Sequence, residues 1–529
     1  MVKSVSILVG LLLTIFRGTA APALTLSPYE SHTDAVSRSQ IDDLVFANLE
    51  RLNLQPAALC SDGVFVRRAC LDVIGTLPSA QEAKEFVLDR SAGKRRALIE
   101  RLLGRDEFSD YWAMKWCDLL RVKAEFPVNL WPNAAQAYHR WIRTSIKENQ
   151  PYDQFARELL TASGSNFRVA PVNFYRAMQN KEPQAIAQTV ALTFMGARAE
   201  KWPKERLAGM TAFFSKVGYK CTAEWKEEIV FFDAGKTNTT AANCIALALA
   251  TFPDGTPARI SVDRDPREVF ADWLIDPKNP WFTRNIANRV WSWLLGRGVI
   301  QEPDDIRPDN PPSNPELLAF LERELIASHY DLKHLYRLIL NSRTYQLSSL
   351  PKTDSSEADA NFSHYLLRRL EAEVLIDALD EITGTTEQYS SAIPEPFTYI
   401  PESHRSIALP DGSISSSFLE LFGRAQRDTG LESERNNRPS TDQRLHLLNS
   451  SHIQRKLDQC RMVQYLAKSK KTPREIATGM YLGILSRFPT ETELQTVETC
   501  FQAGSGKPQE TAVDLAWALI NSAEFLYRH

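Results

Sequence analysis

Residues Asp265 to Leu350 read DPREVFADWLIDPKNPWFTRNIANRVWSWLLGRGVIQEPDDIRPDNPPSNPELLAFLERELIASHYDLKHLYRLILNSRTYQLSSL. Apolar residues recur here at three- and four-residue spacing, the mark of amphipathic helix, and Pro-rich turns separate the runs. Trp273, Trp281, Trp291 and Trp293 crowd into the same segment. Working outward, the spacing predicts further helices over 41–54, 80–87, 94–103, 111–120 and 134–147. Ser79 and Glu82 form a capping box, in which hydroxyl and carboxylate each satisfy a free backbone N–H at a helix start. That signal returns near the other end. Leu71, Ile74, Leu77, Pro78 and Glu82 align without gaps onto Leu482, Leu485, Phe488, Pro489 and Glu493, and Glu107-Phe108 aligns with Glu524-Phe525 after a longer linker. The two ends read as a duplicated three-helix unit clasping the middle, or as capping signals that recur in any helical protein.

The middle changes character. Residues 228–232 and 258–262 have the β-branched and aromatic content of strands, separated by a Thr/Asn-rich segment and the turn Pro253-Asp254-Gly255. The expected fold is therefore mainly α: two multi-helical domains, 38–217 and 263–529, with a small β insertion over 218–262 between them. A Pro-, Ser- and Gly-rich region, 383–417, is expected to be a long surface loop, and loops of that length are functional or disordered.

Lys3, the apolar run from Val5 to Phe16 and Gly18-Thr19-Ala20 have the three parts of a secretory signal over 1–20. The run is shorter than the ~20 residues a membrane helix needs, and no later segment reads as a span. This predicts a periplasmic or secreted protein. A net charge of −3 leaves no footprint for nucleic acid. Seven cysteines in an oxidising compartment permit three disulfides. Cys221 with Cys244 and Cys60 with Cys70 are the candidate pairs; buried thiols acting as small hydrophobes are the alternative.

The stretches 41–53, 65–78, 112–121, 149–160, 368–377 and 422–427, with the blocks 285–293 and 311–318, carry a resemblance over nearly the whole chain. They resemble a two-part family of planctomycetes and their relatives, the planctomycete cytochrome-associated domain followed by its companion domain, both of unknown function. The resemblance implies envelope or secreted protein partners, cytochrome-type domains among them. Two departures from the family pattern matter. Many relatives follow a Phe-hydrophobic-Gly turn with Cys-x-x-Cys-His, the spacing of c-type haem attachment. Here Phe194-Met195-Gly196 leads directly to Ala197-Arg198-Ala199-Glu200-Lys201, without cysteine or histidine, so covalent haem is excluded at that position and no cofactor is predicted. Where many relatives have Cys-Glu-Cys-Glu-Arg, this chain has Leu431-Glu432-Ser433-Glu434-Arg435.

Three groups are candidates for chemistry. Arg284, Asn285, Asn288 and Arg289 form a polar stripe, either a ligand-binding wall or a buried hydrogen-bond network, on the helix whose Trp291 joins them as a ligand-binding candidate able to stack on a sugar ring or, alternatively, to pack in the core. Asp304 and Asp305, with Arg289, are the catalytic candidates, since glycosidases place carboxylates near aromatic sugar platforms; turn formation among prolines is the plainer reading. Glu373, Asp377 and Asp380 share a helix face and are weak metal candidates, the alternative being a solvated face. No phosphate loop, nucleophile elbow or metal-ligand spacing assigns a reaction. The leading expectation is an exported, non-haem scaffold or binding protein of the envelope. The alternative is an enzyme acting on extracellular polysaccharide, with a glycan as its ligand.

Overall fold

The computed structural model describes residues 27–31, 33, 35–236, 250–261, 263–400, 402–469, 471–504 and 508–529. Helices dominate, and the sheets among the described residues are one of three strands and one of two. The expected leader, Cys244 and Val262 lie outside the described residues.

The helix Asp62–Ile74 is buried along its length because it packs against Ala80–Leu88, Lys94–Leu103 and Asp106–Leu119 at once. Helix Asp106–Leu119 then lies along Pro132–Lys147, the most extensive helix pairing among the described residues. The tryptophan helix, Phe282–Leu295, packs on Pro315–Ala327, Leu332–Asn341 and Pro183–Met195. Two of its aromatic rings face the N-terminal helices: Trp293 lies 5.3 Å from Trp112 and 6.0 Å from Trp116, and Phe282 stacks on Tyr152 at 4.7 Å. Such offset and edge contacts add to simple area burial. One hydrophobic core therefore runs through both halves of the chain.

The strand expected over 228–232 forms as Glu228–Phe232, paired antiparallel with Val217–Cys221 on one side and with Gly164–Ser165 on the other. The strand expected over 258–262 does not form in its described part. Residues Ala258 to Ser261 are irregular, tied by one bridge between Thr251 and Pro257. The aromatic pull of Phe252, stacked between Phe213 at 4.9 Å and Trp273 at 5.0 Å, fixes this segment in place of a ladder. Cys60 and Cys70 are free buried thiols. Helix Asp62–Ile74 separates them by roughly 15 Å, beyond the ~7 Å reach of a disulfide.

Both ends of the chain carry the expected three helices, and capping boxes also stand at Ser440–Gln443 and Thr472–Glu475. Helix Pro473–Ile484 is followed by Glu491–Ala503 and Pro508–Ile520, and the Thr490–Glu493 capping box matches that of Ser79–Glu82. Gly75 and Ser486 occupy equivalent helix ends and both turn left-handed, at φ 58° and 61°.

Candidate functional site

The tryptophan helix starts from Asn279, whose side chain accepts the amides of Trp281 and Phe282 at 3.0 and 3.1 Å. It ends at Gly296, φ 85°, where Arg368 donates to the carbonyls of Trp293 and Leu294 at 2.7 and 2.8 Å. A cation on the last carbonyls stabilises the helix end. Between these ends the polar stripe turns inward. Asn288 clamps the backbone of Ile300, donating to its carbonyl at 2.9 Å and accepting its amide at 2.8 Å. Asn285 donates to Thr193 at 3.0 Å. Arg289, sealed from water, donates to Asp304 at 2.8 Å and to Glu432 at 3.2 Å. The second oxygen of Asp304 accepts the Glu432 amide at 2.7 Å, and Trp293 donates to the Glu432 carboxylate at 3.0 Å. Burial works against the Arg289 charge, yet Asp304 and Glu432 raise its pKa above the ordinary guanidinium value.

Arg289, Asp304, Asn285 and Asn288 are thus brought together, and their polar atoms are taken up by one another or by backbone. Arg284 points elsewhere, to Glu322 at 2.8 Å, and Asp305 faces Arg307 at 3.2 Å. Trp291 is fully buried edge-on to Phe362 at 5.1 Å. The sequence reading missed Glu432. Its stretch, Leu431 to Arg435, and the Gly196 turn close on the Asp304 loop from two sides: Ile306 donates to the Gly196 carbonyl at 2.8 Å. A Cβ at Gly196 would lie 2.7 Å from the Asn285 oxygen and the Pro303 carbonyl, so this turn, φ 59°, requires glycine.

The three acids of helix Ala372–Thr383 do not converge. Glu373 is held at about 2, where burial pushes its carboxyl up but Arg435 and Arg424 prevail. Asp380 pairs with Lys456. Asp377 accepts the amides of Ser406 and Ile407 at 2.6 and 3.2 Å, with Arg405 at 3.5 Å. Among the described residues no three His, Cys, Asp or Glu side chains are grouped as a metal ion would need.

By anchoring Ser406 and Ile407, Asp377 shapes a large opening among the described residues. A cleft of about 410 Å³ lies between Pro132–Lys147 and the long loop that precedes Ser417, with Gln136, His139, Arg140 and Arg143 on one side and Tyr399 and His404 on the other. Asp110 pairs with Arg143 at its base. His139 is buried, and its Nε2 finds no hydrogen-bond partner. Burial, then the positive charges of Arg427, Arg143 and Arg140, push its pKa down to about 3, so the ring stays neutral. A second void, about 30 Å³ among Trp112, Trp116 and Tyr336, has room for a water molecule.

Two family models match the chain. Residues 40–216 match a protein of unknown function, PSCyt2 (DUF1549), and residues 266–501 match a second, PSD1 (DUF1553). The chain carries both domains, in that order. No curated protein and no solved structure matches it. The locked cluster of Arg289, Asp304 and Glu432 lies within the DUF1553 match, whereas the cleft draws Asp110 to Arg143 from the DUF1549 match and Tyr399 to Pro410 from the DUF1553 match. Ligand sites favour such junctions between domains. The residues that build the cleft carried a faint signal in sequence: Gln136, Arg140 and Arg143 stand at i, i+4 and i+7 on one helix face, opposite the apolar one.

Proposed function

We propose that this two-domain protein is an exported, non-haem binding or scaffold protein of the cell envelope. The observation that carries the reading is a contrast of accessibility. Arg289, Asn285 and Asn288 on the tryptophan helix are satisfied internally, and both oxygens of Asp304 are already engaged. A general acid or base needs a free oxygen facing the reacting atom, so hydrolysis centred on Asp304 draws no support from this geometry. The open polar surface lies instead at the cleft between the domains, with an unpartnered histidine in its wall. The signal-like N-terminus supports export. The absence of cysteine and histidine from residues 197–202, directly after the Gly196 turn, supports a protein without covalent haem at that position. Among the described residues no helix is long and apolar enough to cross a membrane.

The test is titration of the purified chain against washed envelopes, with free reducing ends monitored alongside. Saturable co-sedimentation without release of fragments is expected. Catalytic release of soluble sugar, or no saturable sedimentation, overturns the proposal.

A further inference from the structure

The cleft continues onto the surface as a ridge of aromatic rings. Trp225, Tyr399 and Phe397 leave 70%, 66% and 56% of their surface in water, a large share for side chains that gain by burial. Trp131 links them. Its ring lies 5.8 Å from that of Phe397, and the Lys226 ammonium sits 5.8 Å from Trp131 and 5.3 Å from Trp225. Trp131 adopts φ 71° and ψ 148°, a region that only glycine enters readily, so the fold holds this residue there against local strain. The same residue starts the helix that walls the cleft. From Trp131 to Arg143 the surface runs roughly 18 Å along the helix axis.

The charges along this path are unevenly matched. Asp110 neutralises Arg143, but Arg140 is exposed and has no ion pair or hydrogen bond among the described residues. His139, 7% exposed, contributes a buried Nε2 that also lacks a partner. Gln136 and the Tyr399 hydroxyl supply neutral donors and acceptors.

We infer that ridge and cleft together bind an acidic glycan, its sugar rings stacked on Trp131, Phe397 and Tyr399 and its anionic group paired with Arg140. The inference rests on the binding reading above and names its ligand class. A pyranose ring presents C–H groups on one face and hydroxyls around its rim. Exposed aromatic faces take the first, and a polar cleft takes the second. A carboxylate or sulfate matches the planar guanidinium fork of arginine. A lipid surface would call for a continuous apolar face, whereas here a cation stands between two of the rings and polar groups adjoin a third.

Affinity electrophoresis through gels containing polygalacturonate, dextran sulfate, dextran or polyglutamate tests this. Retardation by at least one acidic glycan is expected, with affinity at least on the order of tenfold above that for dextran and polyglutamate. The retarding polymer identifies carboxylate or sulfate as the anionic group. Arg140→Ser and Tyr399→Ala, both at exposed positions, should each weaken it about tenfold with unchanged circular dichroism. Equal retardation by polyglutamate would assign the surface to acidic peptide and overturn the glycan. No retardation by either acidic glycan, or retardation indifferent to both variants, overturns the site. A chain that sediments with envelopes yet ignores acidic glycans refutes this inference alone; one that binds acidic glycan but not envelopes refutes the envelope reading alone.

Discussion

Arg289 keeps a full charge where water cannot reach it, and it does so because Asp304 shares the enclosure and Glu432 reaches in from its partly exposed edge. Removing one member of such a pair strands the other, which typically costs about 3–5 kcal/mol, while replacing both by apolar groups of similar size costs far less. Asp304→Ala should therefore lower unfolding stability by that amount in urea, and Arg289→Met with Asp304→Leu should recover most of it. Equal losses in the single and double variants would sink the pairing argument. Two other residues set opposite dependences on pH. Burial raises Asp377 to about 7, against an ordinary 3.8, despite Arg405 and two amides. The folded state thus holds its proton more tightly, and the stability this confers is complete below pH 3.8 and lost as pH rises through 7. His139, pushed from 6.5 to about 3, contributes stability above pH 6.5 that is lost as pH falls through 3. Against wild type, Asp377→Asn should gain up to on the order of 4 kcal/mol between pH 4 and 7, and His139→Gln about 3 kcal/mol between pH 6.5 and 4. Urea midpoints across that range check both, and curves parallel to wild type would refute them.

At the scale of elements, the matching three-helix ends show how much local sequence can dictate. Capping boxes at Ser79 and Thr490 were legible because the helix start needs those donors and acceptors wherever it lies. The left-handed ends differ in a way that yields a test. A side chain at Gly75 would place its Cβ 2.5 Å from the Tyr111 ring, so Gly75→Ala should destabilise by 2 kcal/mol or more, about 1 of it from the backbone. Ser486 already bears the left-handed strain and buries a hydroxyl without a partner. Ser486→Gly should therefore raise stability by about 1 kcal/mol, read as a higher melting temperature; a fall would show that the hydroxyl is engaged. Helices 41–54 and 111–120 were legible from periodicity, although the second begins five residues earlier, at Asp106, than its apolar spacing indicated. The strand expected over 258–262 was not, because β content there was outweighed by aromatic packing around Phe252, a contact set by residues far along the chain. The cleft was half legible. Its long loop stood out by composition, but the helix face that it covers depends on Asp377 gripping Ser406 and Ile407, a tertiary event that no spacing encodes.

The whole molecule is tied end to end by charge as well as by core. Arg67 donates to the carbonyls of Ile484 and Phe525 at 2.8 and 2.9 Å, and Arg68 to that of His529 at 2.8 Å. In return Arg528 reaches Asp72 at 3.1 Å and Glu371, which also holds Lys115 at 2.7 Å. Burial would raise the Glu371 pKa, but Arg528 and Lys115 keep its carboxyl well below the usual range. Neither family domain can satisfy these groups alone: Asp72 and Lys115 belong to the first match, Glu371 to the second, and Arg528 lies beyond both. A buried charge network satisfied only by both halves couples their unfolding, because opening either half leaves the other with uncompensated interior charge. Tryptophan fluorescence, dominated by the shared aromatic core, and far-ultraviolet circular dichroism should accordingly trace one coincident transition in urea. Arg528→Met should move that transition down by about 3–5 kcal/mol without splitting it. Two separated transitions in the wild-type chain would mean that the halves fold independently and that the network is incidental to their union; a split that appears only in Arg528→Met would mean that this single cation carries the coupling.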